Sequence, residues 1–240
     1  MTNFVLCHGG GMGGWIWKYV APQLRAAGHE VYTPTFTGFG ERVHLLRADV
    51  TPETHVQDLV NTLQYNDLTD AIFVAHSYAG AIMPGLFAAS PDRIRRFVFI
   101  DAAVLGSGEA VAAAMGMMPA EQATAIAGAV KAGHAPPGSG VHLQQREMAK
   151  THPFRMDAER QTWLLDHLSD MPLASVVEPI QVGAESITVP VDYIAVSDTI
   201  MKPLHAKAAA LGWTMHEIDG DHAIIVGDPE PIVSLLLAMA

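Results

Sequence analysis

Cysteine is almost missing from this chain. Cys7 is the only one in 240 residues, so no internal disulfide can form, and a reducing, cytoplasmic setting is expected. Basic residues are scarce as well, 14 Lys and Arg against 25 Asp and Glu for a net charge of −11. No basic cluster is long enough to track a phosphate backbone, and nucleic acid is not an expected partner. Long apolar runs are absent too: no stretch approaches the roughly 20 residues needed to cross a bilayer. The start Met1-Thr2-Asn3 enters an apolar strand without a basic segment or a cleavage site, so neither a leader nor a membrane is expected. The twelve histidines include no H-E-x-x-H spacing, and no metal is expected. Repeats, low-complexity tracts and linkers are lacking.

What is present is apolar sequence in short runs. Half the residues are hydrophobic, enough for a sizeable core. Strands are expected at Phe4 to Cys7, Glu30 to Thr33, Ala71 to His76, Phe97 to Asp101, Val189 to Val196 and Trp213 to Ile218. Helices are expected between them, at Lys18 to Ala27, Pro52 to Tyr65, Ala79 to Ala89 and Pro203 to Leu211, with a last one from about Pro229. Thr51 is the expected N-cap of the second helix, and Gly28 stands where a helix C-cap glycine belongs. Near-continuous apolar strands alternating with helices argue for an α/β fold with a mostly parallel sheet covered on both faces. From Glu109 to about Glu185 the strand-like runs disappear. That segment reads as mostly helical and holds Met115, Met117, Met118, Met148, Met156 and Met171, half of the 12 methionines. Flexible, polarisable side chains of this kind suit either a pocket for apolar ligands or filler between small helices.

The organising stretch is Phe73-Val74-Ala75-His76-Ser77-Tyr78-Ala79-Gly80. An apolar run stops at a serine flanked by small residues, as at a tight strand-to-helix turn that projects a nucleophile. Ala75 and Ala79 stand where G-x-S-x-G has glycine, so the motif is degenerate, and Gly80 supplies some of the freedom. The first strand delivers a second feature, His8-Gly9-Gly10-Gly11-Met12-Gly13-Gly14-Trp15-Ile16-Trp17. No Lys-Ser/Thr pair follows it and the spacing is not G-x-G-x-x-G, which argues against a nucleotide loop. Ser77, Asp198 and His222 each stand at the end of a different strand, and Asp101 also ends a strand beyond Ser77. A serine hydroxyl needs a base within hydrogen-bond reach, and an imidazole oriented by a carboxylate supplies one. Backbone donors would hold the developing oxyanion, each contributing about 3 kcal/mol in comparable enzymes.

On these residues the chain resembles the α/β-hydrolase superfamily, and within it the compact group of plant-type methyl esterases, hydroxynitrile lyases and related bacterial esterases. The residues are His8-Gly9 with Gly13, Trp15 and Trp17, His76-Ser77-Tyr78, Asp198 and Asp221-His222. The resemblance covers residues 1–105 and 187–240 as the core, with 106–186 as a mainly helical cap inserted in it. It implies Ser77 as nucleophile, His222 as base and, from the position the family uses, Asp198 rather than Asp101 as orienting acid. It further implies the Gly10 and Tyr78 amides as oxyanion hole and Gly11, Trp15, Met115, Met118 and Trp163 as substrate-binding residues. His8 and His76, lacking metal-ligand spacing, and Cys7, inside the first strand, are expected to be structural. The lyases have a lysine after the histidine and a threonine at the Gly10 position. Ala223 and Gly10 here argue against cyanohydrin cleavage. The expectation is a serine esterase acting on a small to medium apolar carboxylic ester without metal or organic cofactor. Lyase or C–C cleavage, cofactor-free oxygenation and a low-turnover receptor are its rivals. A homodimer is one option for an oligomeric state that the sequence leaves open.

Overall fold

The computed structural model describes residues 1–135, 140–141 and 151–240. Among them β1 (Asn3–Cys7), β2 (Glu30–Tyr32), β3 (Ala71–His76), β4 (Ile94–Ile100), β7 (Val191–Asp198) and β8 (Thr214–Asp221) form a parallel sheet. Its strand order is β2-β1-β3-β4-β7-β8. The α/β architecture expected from the alternating apolar runs is therefore present. Side chains that alternate along each strand feed two separate cores. Val5, Phe73, Phe97 and Tyr193 pack on one face, and Leu6, Ile72, Val98 and Ile194 on the other. All eight are fully buried, each contributing about 1.5–3 kcal/mol for a large apolar side chain.

The strand order reverses between β1 and β3, since the chain leaves β1 towards β2 on one side and returns to β3 on the other. At such a reversal the loops at the carboxyl ends of the two strands part and leave a crevice. Here those loops are the glycine-rich stretch after β1 and the Ser77 turn after β3.

Two expected helices are broken where proline falls. The first is a 3-10 turn at Gly14–Tyr19 followed by α1 (Ala21–Ala26), and the one after Ser77 is a 3-10 turn at Ser77–Ala81 followed by α3 (Met83–Ala89). Pro22 and Pro84 lack the N–H that would continue the ladder, so each opens a new helix instead. The helix α2 (Pro52–Tyr65) matches its expected span, and Thr51 and Thr54 form a reciprocal cap. Gly28 closes α1 at φ +86°.

Between β4 and β7 the chain forms α4 (Val111–Ala114), α5 (Ala120–Lys131), α6 (Ala158–His167) and α7 (Leu173–Val177). A two-residue antiparallel ladder, β5 (Gly140–Val141) with β6 (Met171–Pro172), was not expected there, being too short to leave a hydrophobic pattern. Met148 lies outside the described residues. After β7 come α8 (Lys202–Ala210), α9 (Ile224–Gly227) and α10 (Glu230–Ala238). No helix among the described residues is long and apolar enough to cross a membrane.

Candidate active site

Ser77 sits at the end of β3 with φ +55°, a left-handed conformation that costs a non-glycine residue free energy. The turn is held by its surroundings. The Ala103 N–H donates to the Ser77 carbonyl at 2.8 Å, and a Cβ on Gly80 would stand 2.2 Å from the Ala103 oxygen. Glycine is thus required at position 80, one residue beyond the motif position that alanine fills. The first loop is pressed against the same turn, because a Cβ on Gly9 would lie 2.9 Å from the Ser77 Cβ.

His222 follows β8 directly. Its Nδ1–H donates to Asp101 Oδ2 at 2.6 Å, and its Nε2 accepts from the Ser77 hydroxyl at 2.9 Å. The first bond fixes the tautomer, leaving Nε2 unprotonated and facing the serine oxygen. The carboxylate bonded to His222 is Asp101, not the expected Asp198. Asp101 directly follows β4 at φ +43° and is fully buried, whereas Asp198 ends β7 and is exposed. β4 lies next to β3, so a residue just past its end stands beside the Ser77 turn. The side chain of Asp198 stays at the solvent side of its strand end. Burial alone would raise the Asp101 pKa, but hydrogen bonds from His205, His222 and Thr199 outweigh it and hold the carboxyl well below the usual range. The acid is therefore ionised throughout the neutral range.

His8 and His76, which flank Ser77 in the expected site, are both fully buried. His8 Nδ1–H donates to the Gly9 carbonyl at 2.8 Å, and its Nε2 accepts the Phe36 N–H at 3.0 Å. His76 Nε2–H donates to the His222 carbonyl at 2.8 Å, tying β3 to the residue after β8. Burial pushes both imidazoles down to about 3, with the His222 charge assisting at His76, so both are neutral. Cys7 is buried in β1, and burial raises its thiol pKa far out of the nucleophilic range.

Gly10 is buried in the loop beside Gly9, and Tyr78 follows Ser77 in the first turn of a 3-10 helix, where backbone N–H groups lack helical partners. The Tyr78 hydroxyl donates to His55 Nδ1 at 2.7 Å, and His55 Nε2–H donates to the Thr37 carbonyl at 3.0 Å. His55 is fully buried, and burial pushes it down to about 4.

The five expected substrate-binding residues do not gather in one place. Trp15 and Trp163 meet edge to face at 5.2 Å and line a cavity of about 380 Å³ together with Lys18, Arg25 and His167. Neither Ser77 nor His222 is in its wall. Met115 and Met118 pack on the opposite core cluster. Gly11 adopts φ +74°, and its carbonyl accepts the Ser169 N–H at 2.8 Å. Thr199 and His205 were missed by the sequence reading. Thr199 adjoins the strand-end Asp198, but nothing in the sequence separates His205 from the other histidines.

A model of the alpha/beta hydrolase family matches residues 4–235. Over the full length of both chains, the protein is 29% identical across 244 residues to a carbendazim hydrolyzing esterase of Nocardioides sp. (strain SG-4G). A putative chloroplastic methylesterase 13 of Arabidopsis thaliana is 32% identical over 109 residues, 45% of this chain and 24% of that one. Among solved structures, an extracellular alpha/beta-hydrolase from a Paenibacillus species superimposes with a TM-score of 0.79 at 24% identity, over 99% of this chain and 98% of that one. A methylesterase from Arabidopsis gives 0.76 at 20% identity, over 100% and 98%. At these identities the two structures speak for the fold. With the family model spanning nearly the whole sequence, this chain belongs to the alpha/beta hydrolase family.

Proposed function

We propose that the protein is a serine esterase that cleaves a small to medium apolar carboxylic ester through an acyl-enzyme intermediate. The observation that carries this reading is the continuous chain Ser77 Oγ–His222–Asp101, with bonds of 2.9 and 2.6 Å and a single consistent set of proton positions. As Ser77 Oγ attacks the ester carbonyl, His222 Nε2 takes the hydroxyl proton, and ionised Asp101 stabilises the imidazolium that forms. The Gly10 and Tyr78 N–H groups receive the oxyanion. His222 then gives its proton to the departing alkoxide, and the alcohol leaves. Water attacks the acyl-enzyme in the second half, again losing a proton to His222, and the acid is released with Ser77 restored. The described helices α4 to α7, inserted between β4 and β7, are the proposed cap over this site. The full-length likeness to a carbendazim hydrolyzing esterase supports ester cleavage and names a substrate to try.

The test is hydrolysis of short and medium p-nitrophenyl esters and of carbendazim by wild type and Ser77→Ala, with fluorophosphonate labelling of both. Loss of labelling and turnover together in the mutant is expected. Turnover that survives Ser77→Ala sinks the mechanism. Labelling of the wild type without hydrolysis of any ester redirects the reading to lyase, oxygenase or receptor.

A further inference from the structure

His222 is one of three donors that converge on the Asp101 carboxylate. His205 Nε2–H donates to Oδ1 at 2.6 Å, and the Thr199 hydroxyl donates to Oδ2 at 2.7 Å. Thr199 Oγ1 also accepts the Met201 N–H at 3.0 Å, which commits the hydroxyl proton to the carboxylate. Both donors come from one short piece of chain, the end of β7 and the first turns of α8. This is the piece on which Asp198 lies.

The geometry around them is tight. The His205 ring stands edge-on to Tyr193 at 5.3 Å, and the Tyr193 hydroxyl donates to the carbonyl of Ala102, the residue after Asp101. A carboxylate free to turn about its own bond would present Oδ2 to His222 only part of the time. With Oδ1 held by His205 and Oδ2 held by Thr199, the plane of the carboxylate is fixed from both sides.

Resting on the triad reading above, we propose that His205 and Thr199 are positioning residues: they lock Asp101 so that Oδ2 faces His222 Nδ1, extending the triad to Ser77–His222–Asp101–His205. Neither residue touches substrate, and no proton passes to His205. The segment after β7, which the family resemblance makes the source of the acid, here supplies the donors that orient an acid from β4. A purely structural bond would make His205 matter for folding and leave the His222 tautomer untouched. A positioning bond makes it matter for kcat.

The experiment compares His205→Leu, His205→Gln and Thr199→Val in the full chain. It reads p-nitrophenyl ester kinetics, the rate of fluorophosphonate labelling and the low-field proton resonance of His222 Nδ1–H, which needs no substrate. His205→Leu is expected to lower kcat and labelling on the order of 10- to 100-fold, as for removal of one hydrogen bond to a charged group, with KM within about twofold. The resonance moves upfield. His205→Gln, whose amide N–H can replace Nε2–H, restores most of the rate, and Thr199→Val shifts all three readouts in the same direction as His205→Leu. Unchanged kcat, labelling and resonance in folded His205→Leu overturn the inference, as does an equal loss in the Leu and Gln variants with the resonance in place. If His205→Leu does not fold, Thr199→Val against His205→Gln decides by the same readouts. Turnover that survives Ser77→Ala instead overturns the triad reading itself.

Discussion

Exchanging Asp101 for asparagine keeps the shape of the side chain and removes one acceptor. Three protons now point at the carboxylate, from His222 and Thr199 at Oδ2 and from His205 at Oδ1. An asparagine has one oxygen and one NH2, so at least one of these donors must face another donor. With the NH2 on the Oδ2 side, His222 Nδ1 becomes an acceptor and its proton moves to Nε2, where it can no longer accept from Ser77. With the NH2 on the other side, the tautomer survives but the negative charge that stabilises the imidazolium is gone. The loss in kcat is therefore expected to be about 10⁴-fold, as in other triads so altered, or about 5.4 kcal/mol of barrier. Asp198→Asn, at an exposed strand end, should leave kcat within about twofold. Steady-state ester hydrolysis measures both, and thermal melts followed by circular dichroism check that Asp101→Asn is folded, since a mismatched buried donor costs about 1–3 kcal/mol. A collapse of activity in Asp198→Asn with Asp101→Asn near wild type would refute the reasoning.

Further expectations concern stability. His8 and His76, pushed down to about 3, and His55, pushed down to about 4, stay neutral in the fold while an unfolded chain takes up protons near pH 6.5. Stability is thus intact above about pH 6.5 and falls as acid is added, by about 2 kcal/mol per buried histidine at pH 5. Urea midpoints that do not move between pH 7 and pH 5 would contradict this. Gly80→Ala drives a Cβ into the Ala103 backbone and should cost about 1–3 kcal/mol or more, seen as a lowered midpoint. Gly28→Ala, with no heavy atom within 4 Å, should cost only the about 1–2 kcal/mol of its positive φ. Tyr78→Phe leaves His55 Nδ1 buried without its donor, which lowers stability by about 1–3 kcal/mol. Its kcat should hold, because the proposed oxyanion donor is the backbone amide.

Much of the fold was legible because parallel strands buried on both faces are continuous apolar runs, and Ala71–His76 and Pro52–Tyr65 fall where the pattern puts them. Ser77 stood out because such a run stops at it, and His222 because it lies in the loop before the last helix. Asp101 stands where such a run stops as well as Asp198 does. Choosing between them depends on which strand lies beside β3, and strand order is a long-range property that local pattern does not carry. His205 lies deeper still. It approaches Asp101 only after α8 packs back on β7, 104 residues from its partner in sequence.

Among the described residues β8 is an edge strand, hydrogen-bonded to β7 alone, yet it leads directly into His222. An edge can peel from a sheet without the rest unfolding, and such openings need less free energy than global unfolding. His222 is clasped at its own carbonyl by His76, and just before it Asp219 and Asp221 are gripped by the guanidinium and backbone N–H of Arg155. Those clasps span 146 and about 65 residues of chain, so they close only when distant parts of the molecule are already in register. The reactivity proposed for Ser77 thus depends on sheet completion. In a denaturant titration, fluorophosphonate labelling of Ser77 is expected to be lost when the last strand lets go, ahead of the loss of helix and of the buried aromatic core.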